Sequence, residues 1–83
     1  LLLLSAKSRE GLKIGLSVSK KVGNAVTRNR VKRLIREGLK PLMEHIDPNF
    51  MYVVVAYPSI AERGYEEVCE SVRYAFNKAG KLL

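Results

Sequence analysis

The chain has no tryptophan, one cysteine, one histidine and only eight acidic residues in 83 positions. Each shortage closes off a class of chemistry. Cys69 and His45 cannot complete the Cys/His sets that hold zinc. With no second thiol there is no internal disulfide, and a lone free cysteine fits a reducing compartment, so the expected location is the cytoplasm. No Ser/His/Asp or Cys/His constellation is available for nucleophilic catalysis, and no Gly-rich phosphate loop follows a strand. A long apolar run is missing too. Leu1 to Leu4 is too short for a signal-peptide core or a membrane span, and polar residues follow at once, so neither export nor a membrane partner is expected. The chain opens on leucine, which raises the expectation that a natural N-terminus precedes it. If the chain belongs to an enzyme, another molecule must supply the catalytic centre.

What is present is basic charge, unevenly spread. The apolar fraction of 47% with 28% charged residues is that of a folded globular chain. Residues 1–40 hold eleven Lys/Arg against two acids, a balance of +9, whereas residues 41–83 hold four against six, or −2. The densest stretch, Lys20 to Arg36, has seven Lys or Arg and no acid. A run of this density calls for a polyanion. No repeat, low-complexity tract or linker interrupts the chain, and a single domain over residues 1–83 is expected.

Periodicity outlines five elements. Leu1–Ala6 reads as the end of a buried strand, and Lys7-Ser8-Arg9-Glu10-Gly11 as a hairpin turn. Leu12, Ile14, Leu16 and Val18 alternate with Lys13, Gly15, Ser17 and Ser19, a half-buried strand with an open front of small polar residues and one lysine. That front either faces water or receives a flat ligand such as a nucleic-acid strand. After Gly23-Asn24, Thr27 is the expected N-cap, which puts Arg28, Asn29 and Arg30 in the first turn of a helix, where free N–H groups and the dipole favour phosphate. Arginine suits the task because its planar fork matches phosphate oxygens. Val31, Leu34, Ile35, Gly38 and Leu42 form the apolar stripe of this helix. Asn29, Arg33, Arg36 and Lys40 occupy the opposite face with only Glu37 as an acid, and Pro41 should kink or restart the helix. Met51–Tyr57 is the most strand-like run, stopped by Pro58 and expected to be covered on both faces for part of its length. A second helix should start near Gly64, bury Tyr65, Val68, Cys69, Val72, Ala75, Phe76 and Ala79, and stop at Gly80. The order strand, strand, basic helix, strand, helix implies an α/β (α+β) two-layer sandwich: a small sheet with helices packed on it.

The run Gly15-Leu16-Ser17-Val18-Ser19-Lys20-Lys21-Val22-Gly23-Asn24-Ala25-Val26-x-Arg28-Asn29-Arg30-x-Lys32-Arg33-x-x-Arg36-Glu37 resembles the signature of the bacterial ribonuclease P protein component. Arg-Asn-Arg alone would be a weak match, but its flanking residues make it specific, and the strand Tyr52–Ala56 and the helix from Tyr65-Glu66-Glu67 extend it over nearly the whole chain. The resemblance implies a small mixed sheet with a left-handed β-α-β crossover, against the usual right-handed rule. It also implies a non-catalytic protein subunit of an endoribonuclease that removes the 5′ leader from precursor tRNA. In that family the large RNA subunit performs the chemistry with Mg2+, and the protein itself carries no cofactor. By the same resemblance, Arg28, Asn29, Arg30, Lys32, Arg33 and Arg36 face the catalytic RNA. Lys20 and Lys21, with Lys13, Ser17 and Ser19, lie by the cleft for the single-stranded leader. Two departures stand out. The chain begins inside the first strand, without the family's N-terminal aromatic helix, so apolar surface should be left exposed. Tyr57 stands where a basic residue often ends the third strand. Two other classes fit the residues taken alone: a general RNA-binding or ribosomal protein, and a DNA-binding helix module. The second is disfavoured by the lack of a helix-turn-helix pair and of dimer heptads.

Overall fold

The computed structural model describes all residues from Leu1 to Leu83. Three strands, β1 (Leu2–Lys7), β2 (Lys13–Val18) and β3 (Phe50–Ala56), form one mixed sheet, and two helices, α1 (Ala25–Leu39) and α2 (Tyr65–Lys78), pack on it. The most apolar, β-branched strand takes the centre: the order is β1-β3-β2, with β1 antiparallel and β2 parallel to β3. The expected β1–β2 hairpin is therefore absent. Ser8 to Leu12 instead carries the chain past the start of β3, across a gap of about 10 Å that five extended residues span easily. The parallel pairing of β2 with β3 needs a crossover, and α1 supplies it.

Register sorts the residues into two faces. Leu3 pairs with Val54, and Ile14 and Leu16 with Tyr52 and Val54, so these side chains point the same way, toward the helices. They meet Val31, Leu34, Ile35 and Leu39 of α1 and Val68, Val72 and Phe76 of α2 in one core that contains no buried charged side chain. The Tyr52 and Phe76 rings lie edge to face, 5.2 Å apart, and the Tyr52 hydroxyl donates to the Asp47 carbonyl at 2.7 Å. On the other face Leu2, Leu4, Met51 and Val53 are exposed. The sheet is thus covered on one side only, and β1 is a largely exposed edge strand rather than a buried one. Both helices pack on the same side of the sheet, and the second face has no element over it.

The helix ends follow local rules with one surprise. Asn24, not Thr27, caps α1: its Oδ1 accepts the Thr27 N–H at 2.9 Å. Both residue types make good caps, and the corner before Asn24 is filled by a glycine, since a Cβ at Gly23 would stand 2.9 Å from the Thr27 side chain. The first turn of α1 is consequently Ala25-Val26-Thr27. At the other end α1 tightens into a 3-10 turn at Lys40–Leu42 around Pro41. Helix α2 starts after Gly64 and closes in a Schellman motif, with the Gly80 N–H on Asn77 O and the Lys81 N–H on Phe76 O. Tyr65 and Ala79, expected on its buried stripe, stand at the two ends of α2, beyond the reach of the core, and are exposed.

Candidate nucleic-acid interface

Three elements position the basic residues. At the end of β2 the chain makes a 3-10 turn, Lys20–Val22, anchored by the buried Val22, which leaves Lys20 and Lys21 exposed at the corner between sheet and helix. Helix α1 then presents the rest. At 100° per residue, Arg28, Lys32, Arg36, Asn29 and Arg33 fall within about 140° of one another, and Arg30 lies about 60° further round. Arg28, Asn29 and Arg30 therefore sit one turn later than the reading with Thr27 as cap implied. The Arg28 N–H is already spent inside the helix, on the Asn24 carbonyl at 2.9 Å. The three side chains spread around the helix instead of gathering at its N-terminus.

The ion pairs are few and lie elsewhere. Only Lys13–Glu10, Lys40–Glu37 and Arg63–Glu67 form, all between neighbours in sequence. None of the seven cations from Lys20 to Arg36 is in one. Lys20, Lys21, Asn29, Arg33 and Arg36 are exposed, and Arg28, Arg30 and Lys32 are half-buried. Arg28 Nε is enclosed without a hydrogen-bond partner. Arg30 donates from Nη2 to the Arg63 carbonyl at 3.0 Å, which ties α1 to the loop before α2. A cationic face without internal counter-ions is an open site for phosphate.

The front of β2 lies where the alternation put it, with Lys13 and Ser17 exposed on the uncovered face and Ser19 just past the strand end. Lys13 is held by Glu10 at 2.6 Å, so its charge is partly answered within the chain. This face also carries exposed apolar surface of the kind expected from the sequence, and it is broad. Gly15 lies beside Val53, and Val53 beside Leu4, so the polar strip of β2 runs into an apolar sheet surface. The parity of Leu2, Leu4, Met51 and Val53 holds the signal, but it becomes readable only once the strand order is known.

Fold and site together define a class: a small α+β sandwich that turns a strongly basic helix face outward. Comparison with known proteins makes the assignment specific. The family model described as Ribonuclease P matches residues 1–80. The ribonuclease P protein component of Bacillus cereus (strain Q1) is 44% identical over 77 residues, which are 93% of this chain and 67% of that protein. Its counterpart in Bacillus anthracis (strain CDC 684 / NRRL 3495) is 43% identical, over 93% of this chain and 65% of its own length. Among solved structures, the RNase P protein of Staphylococcus aureus superposes with a TM-score of 0.87 at 30% identity, covering 98% of this chain and 75% of that one. The RNase P protein of Thermotoga maritima shares the fold, with a TM-score of 0.80 at 23% identity over 92% of this chain and 74% of its own. The chain belongs to the ribonuclease P protein component family, and it spans about two thirds of the length of the curated relatives it matches.

Proposed function

We propose that this chain acts as the non-catalytic subunit of ribonuclease P in removal of the 5′ leader from precursor tRNA. The α1 face (Arg28, Asn29, Arg30, Lys32, Arg33 and Arg36) grips the catalytic RNA. Lys20 and Lys21 continue that grip around the corner to the open sheet, where Lys13, Ser17 and Ser19 border the path of the single-stranded leader. The observation that carries the reading is the set of seven cations between Lys20 and Arg36, none of which is in an ion pair. The proposal leaves the chemistry, and the Mg2+ it uses, to the RNA subunit. The setting is the cytoplasm, where precursor tRNA is made.

Reconstitution tests the proposal. The full chain is mixed with ribonuclease P RNA and precursor tRNA at low magnesium, and leader release is followed. Faster cleavage than with RNA alone is expected, because neutralised phosphates reduce the cation demand of the RNA fold and of substrate binding. Cleavage no faster than with RNA alone would leave a general RNA-binding protein. Equal affinity for duplex DNA at matched salt would point to the DNA-binding class instead.

A further inference from the structure

Beyond the α1 face, an open trough of about 990 Å³ lies between α2 and the end of the sheet where β3 finishes. Tyr57 and Tyr74 line it and are 48% and 64% exposed. Ser59, Ser71 and Asn77 add hydroxyl and amide groups to the same walls. The trough adjoins the basic face at Arg63, a lining residue whose carbonyl accepts from the Arg30 guanidinium and whose own guanidinium pairs with Glu67 at 2.9 Å.

We infer that this trough is a second RNA contact, a stacking site for an unpaired nucleotide of the RNA held on α1; the inference rests on the reading of α1 as an RNA-binding face. Two features favour a base over a phosphate as occupant. The charged residues of the trough, Arg63, Arg73, Glu67 and Glu70, sum to zero, so it offers no net attraction for an anion. The two tyrosines instead offer broad aromatic surface already paid for in exposure to water, and base stacking on such rings is tolerant of sequence. Lys78 Nζ lies 5.8 Å from the centre of the Tyr74 ring, close enough for a cation–π contact that leaves the opposite ring face for a ligand. The serine hydroxyls and the Asn77 amide supply donors and acceptors for a base edge. Tyr57, which departs from the family's basic residue, here acquires a role of its own.

The chain lacks tryptophan and has four tyrosines, two of them in the trough, so the part of the tyrosine emission that a double Phe variant of these two loses reports on the trough. The full chain, Tyr57→Ala, Tyr74→Ala and the double Phe variant are titrated with ribonuclease P RNA and, separately, with a single-stranded leader oligoribonucleotide, across a salt series. Tyrosine quenching on binding is expected. Each Ala variant should lose on the order of ten-fold in affinity for at least one RNA, with the slope of log affinity against log salt unchanged, because stacking releases no counter-ions. The Phe variant should keep its affinity, since it keeps both rings. The RNA whose binding suffers identifies the source of the nucleotide. Wild-type affinity in both Ala variants, alongside weakened binding by Arg28→Ala, would overturn the trough and leave the α1 reading standing. A flattened salt slope, or a loss shared by the Phe variant, would also overturn stacking. Failure of the wild type to bind either RNA would overturn both readings.

Discussion

Arg28 and Tyr52 show how differently two polar side chains can be used in one small core. Arg28 is half-buried, with its Nε enclosed and without a partner where α1 leaves the core. Tyr52 is buried with its hydroxyl satisfied at 2.7 Å by the Asp47 carbonyl. Burial first, and the nearby Asp47 charge second, push its phenol above the usual value of 10.0. A raised folded pKa means that the native state holds its proton where the unfolded chain releases it. The stabilisation is therefore whole below pH 10 and is lost as the pH climbs through the folded value. Tyr52→Phe should lower the free energy of unfolding by about 1 kcal/mol at pH 7, through the lost hydrogen bond. It should also decline less than the wild type between pH 9.5 and 11. Urea denaturation at the two ends of that range, compared between the two proteins, checks both points, and parallel losses would remove the assignment to Tyr52.

Between elements, the close approach of α1 to α2 turns on Gly38. A Cβ at that position would lie 3.1 Å from the Cys69 Cα and 3.4 Å from Val72 Cγ2. The nearer atom is backbone, so it can yield only if the whole of α2 moves. Gly38→Val should accordingly destabilise the fold by about 1–3 kcal/mol, read as a lower urea midpoint with far-UV helicity retained. Unchanged stability would mean that the helices slide apart freely. The five elements and their order were legible because α1 and β2 carry clear periods, 3.6 for the stripe Val31–Leu34–Ile35–Gly38 and 2 for Leu12–Val18, and because β3 is a run of β-branched and aromatic residues. Strand order was not, because Ser8–Leu12 serves equally as a hairpin turn or as a bridge past β3, and only competition for the centre of the sheet decides. The cap was ambiguous for a similar reason: Asn24 and Thr27 are both good caps, and only the folded backbone shows that Asn24 Oδ1 is the one that accepts a helix N–H. The basic residues of the site were all legible as composition. Their spread around α1, the tie from Arg30 to Arg63 and the trough beyond it depend on how α2 packs, which no local pattern encodes.

Charge is unevenly divided along the chain, with +9 in residues 1–40 and −2 in residues 41–83, and the unpaired cations from Lys20 to Arg36 lie on α1 and the turn before it. Such a field steers any polyanion toward the α1 side, but steering by net charge and gripping by placed guanidiniums predict different behaviour in salt. If each of the seven cations from Lys20 to Arg36 neutralised one phosphate of single-stranded RNA, log affinity would fall with log salt at a slope of up to about 5, at roughly 0.7 per contact. Arg28→Ala and Arg30→Ala should each flatten that slope by about 0.7. Arg9→Ala, in the exposed link between β1 and β2, removes the same charge from the same half of the chain and should leave the slope alone. Filter binding to ribonuclease P RNA across a salt series measures all three. A shift of equal size in the three variants would mean that the RNA senses only the total charge of the amino-terminal half, and the specific geometry of α1 would lose its claim.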